Sequence, residues 1–309
     1  MTVTSPYADA LGRIPVRTSE LAVLGGTTRY WDYGDPQADT TIVLVHGFRG
    51  DHHGLEPVVA NLQGVRLISP DLPGFGESDP LGDVAHDIDG YSAWLRAFVH
   101  GLGIEGRFVV LGHSFGSIVV SAALATRDVS STTAAPDAIQ PSAVILVNPI
   151  GAPALEGPRG VFTRLAIFYY WLAAVLPERL GFWLLRNGVI VRVMSMTMAK
   201  TKRKSLRRWI HDQHDRYFSA FSDRRVVLEA FRASVSHDVS EYAARIPEPT
   251  LLVAAERDDI TPVSAQRRLQ TLFPDARLVV IPGVGHLIHY ETPVEAARAI
   301  EEFLAVGTK

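Results

Sequence analysis

Ser114 stands between Gly112 and Gly116 in the run Val109-Val110-Leu111-Gly112-His113-Ser114-Phe115-Gly116-Ser117, a G-x-S-x-G pattern. A serine hydroxyl is a weak nucleophile at its own pKa, and it attacks a carbonyl only when a base takes its proton and an acid orients that base. The surroundings of Ser114 suit such a task. An apolar stretch before it fits a buried strand, and Ile118 to Leu124 after it fits a buried helix. On a sharp strand-to-helix turn the serine backbone is strained, flanking glycines relieve the crowding, and the hydroxyl is pushed outward. The Phe115 amide then opens a helix, where unpaired donors and the helix dipole favour a developing oxyanion. Taken alone, the pentapeptide fits a serine N-cap between two turn glycines as well. The flanking strand and helix favour the nucleophile.

Eleven histidines compete for the role of base. His286 follows the last apolar run directly and lies among glycines that leave its loop uncrowded. His289, three residues on, would face elsewhere once a helical turn has begun, and His113 belongs to the Ser114 turn itself and is expected to pack behind it. For the acid, Asn148 ends one late strand but cannot carry the charge that stabilises an imidazolium. Asp258 and Asp259 end the next. Asp258, at the strand end, is the better placed, and Asp259 remains open as an alternative or as a cap of the following helix. The chain order Ser114, Asp258, His286 is nucleophile, acid, base. A second oxyanion donor is expected from the loop His46-Gly47-Phe48-Arg49-Gly50, through the Phe48 amide, although a glycine-rich turn without a role would read the same. Asp71, in the turn-rich Ser69 to Asp79, is expected to be structural.

These positions depend on the elements around them. Glu20 to Tyr33 reads as a hairpin turning at Gly25-Gly26. Six continuous apolar runs follow: Thr41 to Gly47, Val65 to Asp71, Arg107 to His113, Ser142 to Pro149, Thr250 to Asp258 and Arg277 to Gly283. Runs of this kind are strands covered on both faces. Helical patterns separate most of them, at His53 to Leu62, Asp87 to Gly101, Ser114 to Arg127, Pro262 to Phe273 and Thr292 to Leu304. Strands alternating with helices imply an α/β fold with a mostly parallel sheet flanked by helices.

The stretch between Pro149 and Thr250 is too long for a simple connection. It is expected to be a helical cap spanning 151–245, inserted in a core made of 1–150 and 246–309. The insertion is aromatic and basic, with 16 Lys and Arg against 8 Asp and Glu, in a chain whose net charge is −3. The low net charge gives no electrostatic case for nucleic acid. Lys200, Lys202, Arg203, Lys204, Arg207 and Arg208 form a dense cluster, an ordinary solvated face or else a contact for an anionic membrane surface or anionic substrate. With no cysteine in 309 residues, disulfides, thiolate metal sites and thiol nucleophiles are excluded. No secretory signal is evident at the start, so the cytoplasm is the expected location. The apolar Leu165 to Leu176 is too short for a membrane span.

Five motifs in order, "HGF", "DLPGFGESD", "GHSFG", "ERDDITP" and "GHLIHYETP", resemble the α/β-hydrolase superfamily over Thr41 to Asn148 and Thr250 to Leu304. The resemblance implies an eight-stranded, mostly parallel sheet with a helical cap between strands six and seven. It implies Ser114 as nucleophile, His286 as base, Asp258 as acid and the Phe48 and Phe115 amides as oxyanion hole, with no metal and no cofactor. The expected reaction is hydrolysis of a carboxylic ester of a hydrophobic small molecule, as in carboxylesterases and lipases. Thioester or carbon-carbon hydrolysis, haloperoxidase-like activity, or a non-catalytic small-molecule receptor are the alternatives on the same residues. Leu287, where relatives that cleave carbon-carbon bonds often carry Trp, disfavours that branch. Ala255 replaces a glycine common in relatives without disturbing the acid. Ser114 itself excludes the branches that use an Asp nucleophile.

Overall fold

A computed structural model of the chain describes residues 3–82, 84–126, 138–152 and 160–306. The apolar runs fold as strands: after the hairpin β1 (Val16–Val23) and β2 (Gly26–Tyr33) come β3 (Thr40–Val45), β4 (Arg66–Pro70), β5 (Arg107–His113), β6 (Ala143–Val147), β7 (Thr250–Ala255) and β8 (Ala276–Ile281). They make one eight-stranded sheet in the order β1-β2-β4-β3-β5-β6-β7-β8. The β1/β2 and β2/β4 pairs are antiparallel and the rest are parallel. Every residue of β6 and β7 is buried, as expected of strands covered on both faces.

The hairpin turns one residue earlier than the sequence suggests. Val23 pairs with Gly26, and the turn residues are Leu24 and Gly25, with φ of 48° and 79°. Two consecutive positive φ values are the geometry that matches the twist of a tight hairpin. Gly26 is needed for another reason: a Cβ there would lie 2.4 Å from the Pro80 carbonyl oxygen, so the neighbouring loop, and not the turn, demands glycine.

On the N-terminal side lie α1 (Ala8–Leu11), α2 (Glu56–Val59), α3 (Ile88–Leu102) and α4 (Phe115–Ala125). The helix expected over His53 to Leu62 is reduced to a 3₁₀ turn at His52–Gly54 followed by α2, because the Asp51 side chain accepts from the His53 amide and starts a tight turn there. Asp87 caps α3 by accepting from the Gly90 amide at 2.9 Å. The α4 helix ends short of Arg127, which lies outside the described residues.

Between β6 and β7 come five helices, α5 (Gly160–Val175), α6 (Glu178–Leu185), α7 (Gly188–Met198), α8 (Lys204–Tyr217) and α9 (Arg224–Ser236), and after β7 come α10 (Val263–Gln270), α11 (Ile288–Glu291) and α12 (Pro293–Val306). Alternate residues of the central strands feed two separate apolar cores. Val43, Val45 and Val110 join α3, α4 and residues of the inserted helices, including Tyr170 and Val227. Ile42, Leu44 and Leu111 join α2 and α12. The period of two sends neighbours to opposite faces of the sheet. The inserted helices therefore share the core of one face and are not held by the chain ends alone.

Candidate active site

Ser114 sits at the junction of β5 and α4 with φ 52° and ψ −118°, a region that costs energy for any residue with a Cβ. The close approach of backbone around it holds that geometry. A Cβ on Gly116 would lie 2.2 Å from the Val45 carbonyl oxygen, and one on Gly112 would lie 2.5 Å from that of Gly116. The Ser114 amide donates to the Val147 carbonyl at 3.0 Å, tying the turn to β6.

The half-buried hydroxyl of this turn meets a histidine from a distant loop. Ser114 Oγ lies 2.8 Å from His286 Nε2. His286 Nδ1 lies 2.8 Å from Asp258 Oδ2. A carboxylate on Nδ1 fixes the proton there and leaves Nε2 free to accept from the serine. Asp258 is buried at 5% exposure and accepts further hydrogen bonds from Asn148 Nδ2 at 2.9 Å, Thr261 Oγ1 at 2.7 Å and the Ile260 amide at 2.8 Å. Burial alone would raise its pKa, but the His286 imidazole and the Thr261 hydroxyl and amide outweigh it and hold the carboxyl below its usual range.

Asp259 is elsewhere. It is exposed and pairs with Lys200 Nζ at 2.5 Å, linking the segment after α7 to the loop that carries Asp258. The N-cap of α10 is Pro262, so Asp259 does not take that position. His113 packs behind the turn, its ring 4.1 Å from that of His289 and 5.7 Å from that of His286.

Three side chains at the site were not singled out for these roles. Asn148, with φ 46°, directly follows β6 and donates to the acid. Thr261 gives Asp258 both a hydroxyl and an amide; the spacing Asp-x-x-Thr is a local signal of such a turn. Arg49 is 1% exposed. Its Nε donates to the Phe218 carbonyl at 2.9 Å and its Nη2 to the Leu185 carbonyl at 2.8 Å, while its guanidinium lies 4.4 Å from the Phe218 ring centroid. It ties the loop bearing Phe48 to the inserted helices. Nothing in the local sequence marks it.

Ser114 and His286 open into a cavity of about 650 Å³ walled by the β3 loop, α5, α7, α8 and α9. Phe48 and Phe115 line it. Among the described backbone hydrogen bonds outside the helices and strands, neither of their amides donates to a protein carbonyl. Tyr170, Val193, Met194, Phe231, Val235 and Leu287 make its walls largely apolar. A cavity of this size and lining suits an apolar small molecule.

One cluster of metal-ligand type occurs among the described residues, Asp51, His52 and His53. Its groups already serve the protein. His52 Nδ1 donates to Asp71 Oδ1 at 3.0 Å, His53 Nδ1 donates to Asp51, and the His52 ring stacks on Trp31. Asp71, which also accepts from the Glu77 amide at 2.8 Å, braces the loop after β4.

Four buried histidines surround the site in the neutral form. Burial lowers the pKa of His113 and His214 to about 3, and it lowers those of His46 and His289 as well. In the unfolded chain these groups titrate near pH 6.5, so below that pH the unfolded state binds more protons than the folded one. Stability is therefore lost as pH falls from 6.5 toward the folded values, and above 6.5 these groups contribute no slope. Urea unfolding between pH 6 and 4 should show His214→Gln flattening the pH dependence by up to about 1.4 kcal/mol per pH unit, one proton's worth. An unchanged slope would contradict the neutral, buried state of His214.

Comparison with known proteins places the chain in a family. The family model described as "Alpha/beta hydrolase family" matches residues 42–299. "Uncharacterized hydrolase YugF" of Bacillus subtilis (strain 168) is 24% identical over 288 residues, 90% of this chain and 95% of that protein. "Lipase 1" of Psychrobacter immobilis is 22% identical over 276 residues, 87% of this chain and 78% of that protein. A solved thermophilic esterase from Thermogutta terrifontis superposes with a TM-score of 0.72 at 22% identity, covering 95% of this chain and all of that one, a likeness of fold.

Proposed function

The chain belongs to the alpha/beta hydrolase family, and from that premise we propose that it is a serine hydrolase that cleaves carboxylic esters of hydrophobic small molecules through an acyl-enzyme. The observation that carries this reading is the unbroken hydrogen-bonded series Ser114, His286, Asp258 at the base of an apolar cavity.

In this mechanism Ser114 Oγ attacks the acyl carbon while its proton passes to His286 Nε2. The carbonyl oxygen becomes an oxyanion held by the Phe48 and Phe115 amides. Collapse of the tetrahedral species breaks the bond to the alcohol oxygen, which takes the proton from His286. Water then attacks the acyl-enzyme with His286 again the base, and Ser114 leaves with its proton restored. Asp258 remains ionised throughout and offsets the positive imidazolium. Asn148 and Thr261 keep the carboxylate oriented and paired. Preformed amides and a desolvated carboxylate need no rearrangement as charge develops, which is where such sites gain most.

The helices inserted between β6 and β7 act as a cap that selects the acyl or alcohol group. Lipase and esterase names among the relatives support the same class of substrate. For p-nitrophenyl esters from acetate to palmitate, kcat/KM should rise with each methylene until the cavity is filled, then fall. The increment is at most about fourfold per methylene, since burying one is worth about 0.8 kcal/mol. A rate independent of chain length would contradict an apolar acyl site.

A further inference from the structure

The inserted helices carry apolar side chains on the side away from the core as well as on the side toward it. On α5, Tyr170 and Ala173 are buried while Leu165 and Phe168 are 59% and 56% exposed. On α6, Trp183 is 64% exposed. On α7, Val189, Val193 and Met196 are all exposed, and their spacing puts them on one helical stripe. Among the described residues, nine of the sixteen large hydrophobic side chains that face solvent fall between 165 and 196. So dense a patch marks an interaction surface.

Two further observations bear on what would cover it. Val193 both faces solvent and lines the cavity, and Ala166, next to Leu165, lines it too, so the apolar face rims the opening that leads to Ser114. The chain then leaves α7 directly into Lys202, Arg203, Lys204, Arg207 and Arg208, all exposed. None of these five is within ion-pair distance of a carboxylate among the described residues. A second copy of this chain seated there by two-fold symmetry would set one basic cluster near the other and close both openings.

We propose that this face docks on the surface of a bilayer containing anionic lipid. The side chains of α5, α6 and α7 enter the boundary between headgroups and acyl chains, the cations of 202–208 meet the phosphates, and the cavity opens toward the lipid. Exposed tryptophan and flanking cations are the chemistry of such interfacial contacts. The attachment is peripheral, since no helix among the described residues is long and apolar enough to cross a membrane. It stands independently of the ester-hydrolase reading.

The test uses the full chain and vesicles of phosphatidylcholine alone or with one third phosphatidylglycerol, with bromine on the acyl chains as quencher. Of the five tryptophans, Trp171 and Trp183 are exposed, Trp94 and Trp209 are buried and Trp31 is half-buried against the His52 ring, so a loss of quenching in Trp171→Phe with Trp183→Phe assigns the signal to this face. Tryptophan quenching should appear with anionic vesicles, with partitioning at least about tenfold above that to neutral ones, and weaken at high salt. Phe168→Ser with Val189→Ser should lose about tenfold or more, and so should Lys204→Glu with Arg208→Glu, whose exposed positions leave folding untouched. Equal partitioning to both vesicle types, or none to either, would overturn the proposal. A dimer in sedimentation that Phe168→Ser with Val189→Ser abolishes would overturn it too, in favour of a second copy.

Discussion

Ser114→Ala is expected to lower kcat for a p-nitrophenyl ester by a factor on the order of 10⁵ to 10⁶ while leaving the thermal unfolding midpoint unchanged or raised. The size of the loss follows from the removal of the group that forms the covalent bond to the substrate. Residues that act as one unit fail together, and loss of the nucleophile in such a unit costs about as much as loss of the whole unit. Stability is held or raised because Ala keeps the same strained φ 52° and ψ −118° backbone, while the substitution removes a polar group aimed into a largely apolar cavity. The small change in side-chain volume leaves Gly112, Gly116 and the 3.0 Å hydrogen bond from the Ser114 amide to Val147 undisturbed. Steady-state kinetics and a thermal melt on the same preparation check both halves. Retention of more than a hundredth of wild-type kcat would remove Ser114 from the reaction.

Asp258→Asn is expected to cost about 10⁴-fold in kcat with KM little altered. The amide is isosteric, but its NH₂ facing His286 Nδ1 would reverse the direction of the bond and favour the tautomer with the proton on Nε2, where the base must be unprotonated. The developing imidazolium would also lose its counter-charge. The substitution disturbs more than the histidine. Asn148 Nδ2, Thr261 Oγ1 and the Ile260 amide all donate to the native carboxylate, and an amide oxygen can satisfy only part of that set. A loss of stability should accompany the loss of rate. The depressed carboxyl pKa of Asp258 contributes stability that is present above the unfolded value of 3.8 and lost as pH falls through the folded one, so the wild-type advantage over Asp258→Asn should shrink in strong acid. Asp259→Asn is the control. It lies outside this set, in a pair with Lys200, and its effect on kcat should stay within about threefold, as for exposed ion pairs in general.

The architecture was legible because its signals are strong and independent. Short Val, Ile and Leu runs bounded by turn residues fit strands with both faces covered, and the helices between them imply parallel crossovers. Ser114, Asp258 and His286 could be picked out because Ser114 directly follows β5 and the other two lie in the short loops after β7 and β8, so the parallel sheet brings all three to one edge. Asn148 was set aside as an acid, and its position at the end of the strand beside β7 gives it the donor role instead. Arg49 was illegible for a physical reason. Its partners, the carbonyls of Leu185 and Phe218, lie more than a hundred residues away on helices whose packing no local pattern specifies. The hairpin slipped by one residue because Gly26 was read as a turn glycine, whereas the approach of Pro80 requires it. The exposed apolar stripes of α5 and α7 were equally hidden, since an apolar helix reads the same whether its outer face is covered or bare.

The central claim is an acyl-enzyme on Ser114, and intact-mass spectrometry of rapidly quenched enzyme during turnover of a p-nitrophenyl ester tests it most directly. The wild-type chain should gain the mass of one acyl group, mapped by peptide analysis to the segment containing Ser114, and Ser114→Ala should gain none. An acyl group on another residue, or turnover undiminished in Ser114→Ala, would contradict it.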